Sequence, residues 1–151
     1  MSDEARFASG IPGRCLCGGV GITVSAMKPL VDVCHCTMCQ RWGGMFAGVQ
    51  GDGFTVDGRE NVTVYASSDW AERAFCRTCG SNLWFRFLPS DYHSFLAGLF
   101  DFTPEQAARL AIEQQIFVDE KPAWYDLAQD TPMKTGEEIV AEAKAQGFSF
   151  D

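Results

Sequence analysis

The chain has 151 residues, 46% of them hydrophobic with twelve Phe and four Trp, and a formal net charge of −8. That length and composition suit one folded domain rather than a disordered chain, with about 68–70% of the unfolded surface buried. The acidic balance argues against a nucleic-acid partner, which needs a basic face, and no run reaches the roughly eighteen apolar residues of a membrane span. The opening MSDEARFASG has no basic segment followed by an apolar run. No secretory signal is expected there, and the chain reads as a cytosolic protein without a membrane partner.

In chain order, VGITV (20–24) alternates Val20, Ile22 and Val24 with small or polar residues, the pattern of a half-buried strand. MFAGV (45–49), FTV (54–56), VTVY (62–65), ERAF (72–75), NLWFRF (82–87), HSFLAG (93–98) and QIFV (115–118) are further strand candidates. Glycine-bearing turns such as QGDG and VDGREN separate them, which suggests an antiparallel, mainly β domain. Short helices interrupt it. FTPEQAARLA offers Thr103 as N-cap, Pro104 in the first position and Gln106 three residues after the cap. TGEEIVAEAKAQG repeats the device with Thr135 and Glu138 and can end at Gly147. A turn of helix is expected from Thr37 to Trp42.

Seven cysteines fall into three groups: Cys15-Leu16-Cys17, Cys34-His35-Cys36-Thr37-Met38-Cys39 and Cys76-Arg77-Thr78-Cys79. An odd count excludes a complete intrachain disulfide set, and in a reducing compartment such clusters read as metal sites or catalysis. Structural zinc takes four ligands in a closed tetrahedron, whereas catalytic zinc keeps three protein ligands and an open position. The first and third groups supply four thiolates, and the middle group supplies three. Spacing alone also allows the first group to serve the middle one, which would leave Cys76 and Cys79 as an incomplete pair. Redox chemistry at CRTCG lacks the βαβ context of a thioredoxin-like motif. His35 lies between two ligands in an extended Cys-His-Cys, so its side chain should point away from theirs. It is expected to support a backbone group or line the pocket, and His93 to be an ordinary strand residue.

The segments CLCGGV (15–20), CHCTMCQRWGGMFAG (34–48), SSDWAERAFCRTCGSNLWFR (67–86), AGLFD (97–101) and IFVDEKPAWYDL (116–127) resemble the glutathione-dependent formaldehyde-activating enzymes. That family shares a zinc-binding domain with the protein CENP-V. The resemblance implies an antiparallel Mss4-like zinc-binding β fold over residues 14–130. Residues 1–13 then form an N-terminal extension and 131–151 a helical C-terminal one. It implies two zinc ions per chain, a structural one on Cys15, Cys17, Cys76 and Cys79 and a second on Cys34, Cys36 and Cys39. It further implies a carbon–sulfur lyase chemistry, the condensation of glutathione with formaldehyde. The chain departs from the family at Gln115, where many members carry His. Gln can neither shuttle a proton nor ligate a metal as an imidazole does.

A small thiol such as glutathione carries two carboxylates, which guanidinium groups recognise well. Arg41 and Trp42 beside Cys39 are the nearest candidates, followed by Arg73, Arg77 and Lys121; the plainer expectation for each cation is a solvated surface charge. Trp84 and Trp124 are expected in the core. Two other function classes stand against the lyase: a non-catalytic zinc-stabilised binding module and a thiol or metal sensor.

Overall fold

The computed structural model describes residues 5–150; residues 1–4 and 151, the ends of the expected terminal extensions, lie outside the described residues. Eleven strands and three α-helices follow in order among the described residues. They are β1 (Ile11–Arg14), β2 (Gly21–Ser25), β3 (Leu30–Cys34), α1 (Thr37–Gly43), β4 (Phe46–Val49), β5 (Gly53–Asp57), β6 (Val62–Ser68) and β7 (Ala71–Cys76). After these come β8 (Asn82–Phe87), β9 (Tyr92–Leu96), α2 (Pro104–Arg109), β10 (Ala111–Ile116), β11 (Met133–Lys134) and α3 (Gly136–Ala145). The protein is mainly β, as the alternation of its apolar residues requires. No helix of the described residues is long and apolar enough to cross a membrane.

The chain divides into two compact units. The first comprises the residues up to Leu30 together with Gly48–Ala111, and the second Val31–Ala47 with Ile112 to the end. In the first unit, β1-β2-β5 form one antiparallel sheet, with Ile22 and Val24 turned inward as their alternation predicts. A second antiparallel set runs β6-β7-β8-β9, and Gly48 and Val49 at the end of β4 pair with Leu96 and Phe95 of β9. Its core gathers Phe54, Trp84, His93, Phe95 and Phe100 in ring contacts of 4.6–6.4 Å. His93 is thus a strand residue of this aromatic cluster, where burial holds its pKa below the usual range.

In the second unit the strand order is β11-β10-β3-β4. Here β10 and β11 run parallel, with Gln115 opposite Met133 and Ile116 opposite Lys134, against the expectation of antiparallel pairing alone. A parallel pair needs a crossover of about a dozen residues, and the chain from Phe117 to Pro132 supplies it. That crossover also shortens the expected strand QIFV. Phe117 takes a left-handed φ of 57° and Val118–Glu120 form a 3₁₀ turn, so β10 ends at Ile116. Strand β1 escaped the sequence reading because it contains Pro12 and Gly13; it is tolerated at the edge of its sheet, where a missing N–H breaks no ladder.

All three helices start where their caps dictate. Thr103 and Thr135 each close a capping box, with Gln106 and Glu138 respectively. Gly147, just past α3, has a φ of 97°. Gly136 at the start of α3 lies so close to the Phe117 ring that a Cβ would overlap it, and its N–H donates to Asp119 Oδ1 at 2.8 Å.

Gly58 carries the tightest backbone approach of the first unit. Its φ is 78°, and a Cβ there would collide with the carbonyl oxygen of Gly19, which Asn61 Nδ2 also holds at 3.0 Å. Gly58→Ala is therefore expected to cost about 2 kcal/mol or more, from a strained dihedral and a backbone clash together. Denaturant unfolding of the metal-replete protein measures it; a loss below about 0.5 kcal/mol, the range of an ordinary surface change, contradicts the geometry.

Candidate metal centres

Both clusters are built from backbone turns that sequence spacing makes short. In the first unit, Cys15 and Cys17 follow β1 on a turn closed by Gly18 N–H to Cys15 O at 3.0 Å, with Gly18 at φ 81°. Cys76 ends β7 on a matching turn, closed by Gly80 N–H to Cys76 O at 2.8 Å with Gly80 at φ 78°. Only glycine enters that left-handed region without penalty, so each knuckle carries one. Ser81 ties the two together. Its hydroxyl accepts from Leu16 N–H at 2.9 Å and lies 3.2 Å from Cys79 Sγ.

The four sulfurs of Cys15, Cys17, Cys76 and Cys79 lie within 4.8 Å of one another. Cys17 Sγ is 3.7 Å from Cys15 Sγ and 3.8 Å from Cys76 Sγ. A disulfide would need about 2.05 Å. A tetrahedron with Zn–S bonds of ~2.3 Å has edges of about 3.8 Å, so the spacing found is that of thiolates around such an ion. Backbone N–H groups of Gly19, Val20 and Thr78 point at the sulfurs of Cys17, Cys15 and Cys76 at 3.3–3.4 Å. The Ser81 hydroxyl, with its amide, pulls the Cys79 thiol down to about 5, and the amide of Cys79 lowers Cys76. At Cys17 the Gly19 amide pulls down, but the Cys15 thiol, burial and the thiols of Cys76 and Cys79 outweigh it and push the group up to about 11. The set is thus split between thiols ready to ionise and one that needs a cation to do so.

The second unit holds Cys34 at the end of β3, with Cys36 and Cys39 around the start of α1, their three sulfurs within 4.8 Å of one another. Cys36 is also the N-cap of α1, since its Sγ accepts from Cys39 N–H at 3.3 Å. The Cys36 and Cys39 thiols, and then burial, push the Cys34 thiol far up. Three thiolates at this spacing are unfavourable without a cation, and with one they leave a fourth position unfilled by cysteine. The sulfur donors fit a soft divalent ion such as Zn²⁺ at both clusters.

The second cluster is anchored by its own flanks. His35 N–H donates to Ile116 O at 3.0 Å, and Gln40 Nε2 donates to His35 O and Glu120 O, both at 2.8 Å. Thr37 N–H donates to Glu120 Oε1 at 2.7 Å. The His35 ring is fully buried, with Nδ1 2.8 Å from the Tyr125 hydroxyl and Nε2 2.9 Å from Gln115 Oε1. The ring therefore points away from the metal set, as expected, but its partners are two side chains rather than a backbone group. Gln115, which the sequence marked only as a departure, is this buried partner. Tyr125, ninety positions from His35, had no local signal at all.

The remaining candidates separate. Arg41, in the last turn of α1, is exposed, and Trp42 is half-buried with its ring stacked on Phe46 at 5.2 Å and 15°. Arg73 is no solvated charge: it is 6% exposed in β7 of the first unit, with its guanidinium 5.3 Å from the Phe85 ring centroid. Arg77 is exposed. Lys121 is committed to its own turn, donating to the carbonyls of Pro122 and Tyr125 and pairing with Asp126 at 2.9 Å. Trp84 is buried as expected. Trp124 is not: it is 81% exposed and touches Tyr125, because its turn is pinned by Lys121 beneath the other ring.

The chain matches the family described as glutathione-dependent formaldehyde-activating enzyme over residues 10–120, a span that holds both cysteine clusters. It belongs to that family. A lyase of Schizosaccharomyces pombe, named as uncharacterized, is 33% identical over 133 residues, covering 85% of this chain and 93% of that protein. A Halomonas elongata protein, named provisionally as a glutathione-dependent formaldehyde-activating enzyme, is 28% identical over 78% of this chain and 80% of its own length. A crystal structure of a Rhodobacter sphaeroides protein superposes with a TM-score of 0.51 at 25% identity, over 67% of this chain and 98% of that one. The family match ends at Glu120, so Gln115 falls inside it, whereas Tyr125 and Thr131 do not.

The two clusters should fail differently. A structural zinc contributes ~10–16 kcal/mol of apparent binding energy where no site exists in the unfolded chain, against a typical domain stability of ~5–15 kcal/mol. Cys76→Ser is expected to give unfolded or insoluble protein. Cys36→Ser is expected to stay folded, since serine is itself a good N-cap, and to lose metal at the second cluster only. Metal stoichiometry and thermal melting of both variants decide this, and equal destabilisation would contradict the division.

Proposed function

We propose that the protein binds two zinc ions and joins the thiol of glutathione, or a related small thiol, to formaldehyde or another small aldehyde, or runs that step in reverse. As a family member it is an enzyme of the carbon–sulfur lyase type. The observation that carries the finer reading is the second cluster, three convergent thiols one ligand short of a closed tetrahedron. A purely structural knuckle fills all four positions. Seven free cysteines suit a reducing compartment, and we place the protein in the cytosol.

A zinc ion at that cluster would supply a Lewis-acid position that takes a thiolate and lowers its proton affinity. Cys34, Cys36 and Cys39 would hold the ion, and Glu120, Gln40 and Ile116 hold the loop that bears them. The reacting thiol gives up its proton, its sulfur attacks the carbonyl carbon, and the carbonyl oxygen takes a proton to become a hydroxyl. In reverse, the C–S bond breaks as the C=O bond re-forms. Thiols and formaldehyde combine unaided, so the site's contribution is chiefly proximity. Arg41 is the exposed guanidinium nearest in sequence to the cluster and is assigned to a substrate carboxylate, with Trp42 on Phe46 as an apolar surface beside it. Arg73 receives no such assignment, because its guanidinium is buried over Phe85.

If glutathione enters as a thiolate, its binding releases a proton and strengthens as pH rises toward the thiol's own pKa, near ~8.5. S-methylglutathione keeps both carboxylates and the amine but cannot ionise, and should bind at least tenfold more weakly. Cobalt-loaded protein reports the event through its sulfur-to-metal absorption. A change with glutathione and none with the S-methyl compound is expected. No change with glutathione, cysteine or other small thiols between about pH 6 and 9 would leave a zinc-stabilised binding module as the better reading.

A further inference from the structure

We infer that Gln115 is a positioning residue for the second cysteine cluster: its amide fixes the His35 imidazole as the Nε2–H tautomer and thereby locks the residue between two of the three thiols. The inference rests on the reading that Cys34, Cys36 and Cys39 hold a metal ion. Its basis is a chain of hydrogen bonds whose donors and acceptors can be assigned one after another.

The assignment starts at Thr131. Its hydroxyl donates to Pro132 O at 3.2 Å, so its oxygen is left to accept. Gln115 Nε2 donates to that oxygen at 3.1 Å. The amide is thereby oriented, and Gln115 Oε1 faces His35 Nε2 at 2.9 Å. A carbonyl oxygen only accepts, so Nε2 carries the hydrogen. Nδ1 of the neutral ring is then the acceptor, and the Tyr125 hydroxyl donates to it at 2.8 Å. Four donors point the same way, from Tyr125 through His35 and Gln115 to Thr131 and a main-chain carbonyl. Gln115 is 1% exposed and His35 fully buried, so water does not cheaply replace the bond between them.

With the amide held in this orientation by Thr131, the opposite tautomer would set the His35 Nε2 lone pair against Gln115 Oε1, two acceptors face to face in a buried space. In that arrangement only the Nε2–H tautomer satisfies both neighbours. Because the backbone N–H and carbonyl of His35 are also bound, all four polar groups of this residue are committed. Cys34 and Cys36 are its immediate chain neighbours, so the direction of their side chains depends on it. Outer-shell partners that fix metal-bearing groups in this way change affinity by about 10–100-fold when removed.

The test is a long-range nitrogen-15 correlation spectrum of the histidine rings in zinc-replete protein, with a metal-competition titration alongside. Only His35 and His93 contribute, and a His93→Gln variant assigns them. The wild-type spectrum should show His35 protonated at Nε2 and bare at Nδ1. Gln115→Leu should lose that pattern and weaken the second site about tenfold or more, with the first site unchanged as internal control. Thr131→Val, which frees the amide to turn over, should populate both tautomers. Should Gln115→Leu fail to fold, the wild-type spectrum and Thr131→Val still decide. An Nδ1–H ring or an imidazolium in the wild type overturns the proposal, as does a folded Gln115→Leu with unaltered tautomer and affinity. A wild-type protein that takes no second metal sinks the reading of the site itself, and the tautomer, read independently, tells that failure apart.

Discussion

Sulfur atoms that stand 3.7–3.8 Å apart without bonding to each other pose an electrostatic problem before they offer any chemistry. As thiols they crowd, and as thiolates they repel. The fold answers with donors: the amides of Gly19, Val20 and Thr78 and the Ser81 hydroxyl are all aimed at sulfur. These partial positive charges reduce the repulsion without neutralising it, and the remainder is what a divalent ion would supply. The two glycine turns, the register of β7 and the close approach of Gly58 to Gly19 all serve to bring these groups together.

The two units solve the same problem with different completeness. In the first, four sulfurs from two knuckles surround a point, and nothing further is needed. In the second, three sulfurs converge and the loop bearing them is fastened from behind by Glu120, Gln40, Ile116 and the buried His35. A cluster of three cysteines would have less from an ion to hold its shape than a cluster of four. The polar bonds at its back do part of what the fourth cysteine does elsewhere.

Much of this was legible in the sequence because its signals are local. Cap residues Thr103 and Thr135 fix helix starts through contacts three residues away, and cysteines two or three positions apart declare a knuckle. The alternation at Val20, Ile22 and Val24 is equally short-ranged. What escaped was non-local or mixed. Strand β1 reads as a turn from its Pro-Gly pair, and only its place at a sheet edge makes it a strand. Phe117 looks like the continuation of β10, but its backbone is left-handed and its ring lies against Gly136, a contact nineteen residues away that no local pattern announces. Trp124 is large and apolar and was expected inside; its exposure follows from the pinned turn around Lys121. Of the four links from Tyr125 to Pro132, none could be drawn without the folded chain, since residue type alone does not say which glutamine meets which histidine.

The spacing of the cysteines along the chain also sets an order in time. The three sulfurs of the second cluster lie within six consecutive residues, whereas Cys17 must wait for Cys76, 59 positions later. A ribosome adding about 5–20 residues per second exposes a complete second cluster seconds before the first cluster's last two ligands exist. During that interval Cys15 and Cys17 are a bare pair, and the local triad is the stronger competitor for any ion in reach. The site that closes last is the one that ties distant strands together, so final consolidation of the first unit falls to a long-range contact of high loop-closure cost. If both clusters take metal as proposed, metal supply during synthesis, and not only in the finished protein, would bear on how much of the chain reaches its native state.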